Sequence, residues 1–175
     1  DGNELKRMID KILARERNPR EDGKVLVTSG YETGWCHKNL SFIRENIFDK
    51  SPVPLNITKL YASEGKKTDA VIDAYNADPN FVVYDGHGNE TSMSEIPLAI
   101  SHLNRLKNRT FPILFDIACL NSYWPSSGAG ANNFAHSLAT LTDAGVAGIL
   151  AASSNSNGHD LFRNIFRAFI YDEKQ

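Results

Sequence analysis

The chain has 175 residues, with 19 Lys and Arg against 21 Asp and Glu and a formal charge of −2. That balance excludes a nucleic-acid binder working through bulk positive charge, because phosphate recognition depends on clustered cations. With 41% hydrophobic residues, residues 1–175 can bury one domain core without metal or disulfide support, and no apolar stretch approaches the length of a membrane span.

Asp1 to Arg7 lacks a basic start followed by an apolar run, so no signal peptide is read there. Leu5, Met8, Ile9, Ile12 and Leu13 form the i, i+3, i+4, i+7 stripe of a surface helix that stops before Pro19. Lys24-Val-Leu-Val-Thr28 follows as a strand whose near-continuous apolar character points to burial on both faces. A helix is expected near Lys38 to Phe48, a strand near Asn56 to Tyr61 and a helix near Thr68 to Asn76. The strand Phe81-Val-Val-Tyr84, a helix near Ile96 to Leu106 and the strand Pro112 to Ile117 come next. A helix near Asn133 to Thr142, the strand Val146 to Ala152 and a helix near Asp160 to Tyr171 close the series. Such alternation implies right-handed crossovers and an α/β sandwich of about five mostly parallel strands with helices on both faces.

In an open parallel sheet the ligand crevice lies outside the carboxyl ends of the strands. The third strand runs directly into Asp85-Gly-His-Gly-Asn-Glu-Thr91, and the fourth directly into Ala118-Cys-Leu-Asn121. The 32 residues between His87 and Cys119 make one strand-helix-strand unit, so an imidazole and a thiol are expected at the same sheet edge. A thiol with the ordinary pKa near 8.5 is only a few per cent ionised at neutral pH, and a neighbouring histidine can take its proton and later protonate a leaving amine. Gly86 and Gly88 allow close backbone approach, and the amides of Gly88 and Cys119 are candidate donors to a developing oxyanion. A cysteine after an apolar strand is commonly an inert core residue and a histidine between glycines a turn residue. It is their joint placement that singles out the pair.

Tyr-x-Gly-His-Gly-x-Glu-Thr followed by Phe-Asp-x-Ala-Cys-x-Asn resembles the catalytic signature of the gingipain-type cysteine peptidases, which have a caspase-like fold. Ile9-Asp10, Arg15-Glu-Arg-Asn18, Val71 to Tyr75, Leu103 to Asp116 and Ala144 to Ser156 are similar to further segments of that catalytic subdomain. The resemblance implies a cysteine endopeptidase acting on polypeptides through a His87–Cys119 dyad and a thioester, without a cofactor, and exported from the cell. It also implies that Glu32 lies close to the acid that orients the catalytic histidine, a solvated loop carboxylate being its plainer reading. Members that cleave after arginine carry an acid in the first-strand loop and an aromatic residue in the fifth-strand loop. Here those places fall near Gly34 to Cys36 and in Ser153-Ser-Asn-Ser-Asn-Gly158, which lack both. Trp35, Ser153, Ser154 and Asn155 are therefore the candidates for contacting substrate. The segment Ser122-Tyr-Trp-Pro125 departs from the Gly-Asp-Phe of the family beside the nucleophile.

Other motifs are weak. Cys36 and His37 have no second pair at metal spacing, Gly128-Ala-Gly130 does not open a helix after a strand, and Asp85 to Glu90 has Glu where a calcium loop needs Gly. His102, His136 and His159 read as structural or solvated. Asn56, Asn89 and Asn108 begin Asn-x-Thr matches that are taken as chance, a glycan at Asn89 being an obstacle beside the dyad. An interaction module that keeps the fold without the chemistry, and a hydrolase for another acyl bond, remain alternative functions on the same residues.

Overall fold

The computed structural model describes residues 2–19, 22–30, 48–51, 54–94, 98–123 and 133–155, with Asn164, Ile165 and Ala168. Five parallel strands form the central sheet in the order β2-β1-β3-β6-β7. These are β1 (Lys24–Ser29), β2 (Asn56–Tyr61), β3 (Phe81–Asp85), β6 (Ile113–Ile117) and β7 (Gly148–Ala151). A small antiparallel hairpin, β4 (Gly88–Asn89) and β5 (Ser92–Met93), stands between β3 and β6 in the sequence. The helices are α1 (Gly2–Arg17), α2 (Thr68–Asn76) and α3 (Phe134–Ala139). The expected α/β class and parallel sheet are thus observed, and β2 and α2 fall on their expected residues.

The strands are apolar on both sides because both sides are covered. Even-numbered positions such as Leu26, Val82, Tyr84 and Leu114 pack with Val71, Ile72 and Tyr75 of α2 and Phe134 and Leu138 of α3. The alternate positions Val25, Val27, Val83, Phe115 and Ile117 form a second cluster with Phe48 and Tyr61, against which Ile165 is packed. Period-two alternation in a strand thus feeds two cores, one on each face.

Two expectations need adjustment. Within the helix expected near Ile96 to Leu106, residues Ile100–Arg105 form a tighter 3-10 turn that follows the edge of the first cluster. Most of the expected helix at 38–48, and most of that at 160–171, lie outside the described residues, although Asn164, Ile165 and Ala168 are helical.

The second concerns α1, whose apolar stripe does not face the core. Leu5 is 59% exposed and Ile9 45%, with Met8, Ile12 and Leu13 also exposed, whereas Lys11 on the opposite side is buried. The cationic side chains instead reach backbone carbonyl groups at the ends of strands and helices. Lys11 Nζ donates to the Ala139 carbonyl at the end of α3 (2.7 Å), and burial, with the charge of Arg7, lowers its pKa to about 8. Arg15 Nη1 donates to the carbonyls of Asn80 (3.1 Å) and Phe111 (3.2 Å), and its guanidinium lies over the Phe81 ring. The Asn80 carbonyl also accepts the Ile113 amide (3.2 Å), so the guanidinium adds charge-assisted bonds at the point where β3 and β6 begin to pair. Arg15→Ala is expected to lower stability by about 2 kcal/mol in chemical denaturation. A loss below about 0.5 kcal/mol would mean that these bonds are replaced by water without penalty.

Candidate active site

Strand register brings the two chemical side chains to one edge. In the β3–β6 pair Asp85 stands opposite Ile117, and each strand continues two residues further, to His87 and to Cys119. The Gly86 amide still reaches the Ile117 carbonyl at 3.4 Å, so the two chains remain side by side as they leave the sheet. His87 is exposed and Cys119 half-buried, so the thiol is partly open to solvent.

The loop after β3 is tightly fixed. The buried Tyr84 hydroxyl lies 2.7 Å from the carbonyl oxygens of both His87 and Ser94, sharing its proton between them. Ser94 N donates to the His87 carbonyl (2.9 Å), closing the β4–β5 hairpin at the histidine backbone. Its tip is held by Asn89 Oδ1, which accepts from the backbone of Thr91 (2.8 Å) and Ser92 (3.0 Å). Gly86 is required because a methyl group there would enter the Tyr84 phenol ring.

Gly88 is constrained from the other side. A Cβ at this position would lie 2.8 Å from both the Ala118 Cβ and the Cys119 carbonyl oxygen, and would overlap Asn121 Oδ1. The histidine loop therefore lies in direct contact with the cysteine loop. Leu120 adopts φ +61°, a left-handed conformation uncommon for a side chain of this kind, immediately after Cys119. Beyond β7, Ser154 and Ala152 accept hydrogen bonds from the amides of Leu120 (3.2 Å) and Ser122 (3.1 Å). Ser153, Ser154 and Asn155 are exposed in the segment after the last strand, which the Leu120 amide joins to the cysteine loop.

Glu32, Trp35 and Cys36 lie outside the described residues. Gly30 N, the last described amide of that stretch, bonds the Asp85 carbonyl at 3.2 Å, so the first loop departs from the same sheet edge. Among the described residues no three His, Cys, Asp or Glu side chains are grouped to hold a metal ion. His102 accepts the Ala99 amide on Nδ1 (3.2 Å), and His136 stands 4.0 Å from Glu4, both in structural settings. Asn108 is fully buried, with its amide spent on Thr110 and Gly145, which removes it as a glycan acceptor. Sequence reasoning missed Asn121 and Asp116. The first was visible only as the last letter of Cys-x-Asn, the second as a charged residue inside an otherwise apolar strand.

The parallel sheet, with a cysteine and a glycine-flanked histidine following adjoining strand ends, has the caspase-like fold, and the family model and relatives place the chain among the cysteine peptidases. Within that class the chain belongs to peptidase family C25, whose model matches residues 1–174. It is 31% identical over 127 residues to gingipain R2 of Porphyromonas gingivalis, covering 67% of this chain and 17% of that protein. The same identity relates it to gingipain R1 of Porphyromonas gingivalis, of which it spans 13%. A crystal structure of the Arg-specific cysteine proteinase gingipain R superposes with a TM-score of 0.81 at 24% identity, over 100% of this chain and 44% of that one. A complex of gingipain pro- and mature domains gives 0.76 at 24% identity, over 95% of this chain and 43% of that one. The chain thus spans less than half the length of these relatives.

Proposed function

We propose that residues 1–175 form a catalytic domain that hydrolyses peptide bonds, with Cys119 as nucleophile and His87 as its acid–base partner. The observation that carries the proposal is the register of β3 and β6, which ends both strands two residues short of these side chains. Membership of peptidase family C25 supports a polypeptide substrate.

In the proposed reaction the Cys119 sulfur attacks the scissile carbonyl carbon while His87 takes the thiol proton. The oxyanion is held by the Gly88 and Cys119 amides; the hairpin bond from Ser94 to His87 leaves the Gly88 N–H outside the β4–β5 ladder. Collapse of the tetrahedral adduct breaks the C–N bond, His87 passes its proton to the departing amine, and a thioester remains. Water, deprotonated by His87, then attacks the thioester and frees the carboxylic acid and the thiol. Every proton is accounted for by one imidazole, and no cofactor enters. Glu32 is assigned to orienting His87, and Trp35, Ser153, Ser154 and Asn155 to contacting the substrate on the acyl side of the thiol. Export, implied by the family resemblance, belongs to the same proposal.

The test is labelling by a peptidyl thiol-reactive probe, followed by peptide mapping. Wild type is expected to be labelled at Cys119, and His87→Ala to label at least about 100-fold more slowly at neutral pH. An unlabelled wild type, or equal rates in the two proteins, would leave a caspase-like scaffold without this chemistry.

A further inference from the structure

We propose that Asn121 is a positioning residue that sets the separation of thiol and imidazole, an assignment that rests on the His87–Cys119 reading above. Asn121 is fully buried two residues after Cys119, and its side chain leaves its own loop to enter the other one. Nδ2 donates to the carbonyls of Asn89 and Ser92, both at 3.0 Å. These carbonyls belong to the two strands of the hairpin that opens at Gly88, one residue beyond the histidine.

The orientation of the amide is fixed by chemistry. Turning it over would bring Oδ1 against two carbonyl oxygens that have no proton to offer. In the orientation observed, Oδ1 faces Gly88 and has no hydrogen-bond partner among the described residues. A buried acceptor left unpaired is unfavourable. The two donated bonds therefore operate against that penalty, and the left-handed turn at Leu120 adds another cost at the step that turns the chain between Cys119 and Asn121. Strain on both sides of one amide, in a segment that joins the two loops, marks a place where geometry is held at the expense of stability.

The tie is reinforced by the start of α3. Ala135 N donates to the Asn121 carbonyl (3.0 Å), while Phe134 N donates to Glu90 in the hairpin (2.7 Å). One helix end thus grips both loops through its backbone, and the Asn121 amide spans the gap between them. With the side chain removed, the loops remain attached to α3 but lose the direct link that sets their spacing at the thiol.

The experiment uses the full chain and iodoacetamide, with alkylation of Cys119 quantified by peptide mass spectrometry from pH 6 to 9. A neighbouring imidazole that takes the proton raises the rate at the acid end of this range. Asn121→Ser, shown by its melting curve to be folded, is expected to react at Cys119 about tenfold more slowly at pH 6.5 and within twofold of wild type at pH 9. His87→Ala should show the same change. If only His87→Ala shows it, the dyad stands and the role of Asn121 is overturned. If neither variant changes the profile, the dyad reading fails and the role of Asn121 falls with it. Should the serine variant not fold, Asn121→Leu keeps the side-chain volume, removes the donor and is read by the same criteria.

Discussion

Gly88→Ala is expected to lower Tm by roughly 5–10 °C and to slow probe labelling of Cys119 at least tenfold. The new methyl group would lie 2.8 Å from the Cys119 carbonyl and from the Ala118 Cβ, distances that real Cβ atoms do not sustain. Neither neighbour is the far end of a flexible side chain. The third obstacle, Asn121 Oδ1, belongs to an amide held by two hydrogen bonds. The strain is relieved only by moving one loop away from the other, and overpacking of this kind costs about 2–3 kcal/mol. Because the displaced segments are those that carry His87 and Cys119, the loss of reactivity should exceed what the loss of stability explains. Differential scanning calorimetry and labelling at a temperature well below both transitions separate the two effects. Unchanged Tm together with unchanged labelling would show that the loops part without consequence.

Asp116→Asn is expected to stabilise the protein at neutral pH, on the order of 4 kcal/mol at pH 7, and to remove a slope from its pH dependence. Asp116 is fully buried on the α2 side of β6, and neither carboxyl oxygen has a hydrogen-bond partner among the described residues. Burial raises its pKa from the ordinary 3.8 to about 8, so the folded protein holds a neutral acid there. The nearby Tyr75 hydroxyl also has no hydrogen-bond partner among the described residues, and burial, then the Asp116 charge, pushes its pKa upward. The folded pKa lies above the unfolded one, so the folded state binds the extra proton. Its contribution is complete below pH 4 and is lost at about 1.4 kcal/mol per unit as pH rises toward 8. Urea unfolding of both proteins from pH 4 to 9 isolates this one group as the difference between two curves. Parallel curves would mean that Asp116 is ionised and paired in the fold.

The sheet was legible because its strands are short, β-branched runs bounded by turn residues, and because the edge where a parallel sheet works is set by topology. His87 and Cys119 needed no more than that, since each follows its strand directly. The orientation of α1 was not legible. Hydropathy periodicity says which side of a helix is apolar, and Leu5 to Leu13 form such a side, but Arg15 and Lys11 reach carbonyls created by the tertiary fold. Asn121 and Asp116 were hidden for a related reason. A single letter does not reveal that an amide will cross between two loops or that a carboxyl will be enclosed without a partner. Glu32 and Trp35 lie beyond the described part of the first loop, and their assignments rest on the family resemblance.

Arg15 has a bearing on the proposed His87–Cys119 dyad that its position at the opposite end of these strands conceals. The two carbonyls it joins, those of Asn80 and Phe111, immediately precede β3 and lie two residues before β6, the same strands that deliver His87 and Cys119 at their far ends. Parallel strands can slide past one another, and because side chains alternate, only even-numbered steps keep the cores on their proper faces. A slide of two residues would carry the thiol about 6.6 Å along the imidazole's strand, beyond proton-transfer reach. One guanidinium bonded to both strand entrances opposes that shear from the end of the sheet remote from the proposed dyad, so the alignment of His87 and Cys119 is fixed at both ends of the same two strands.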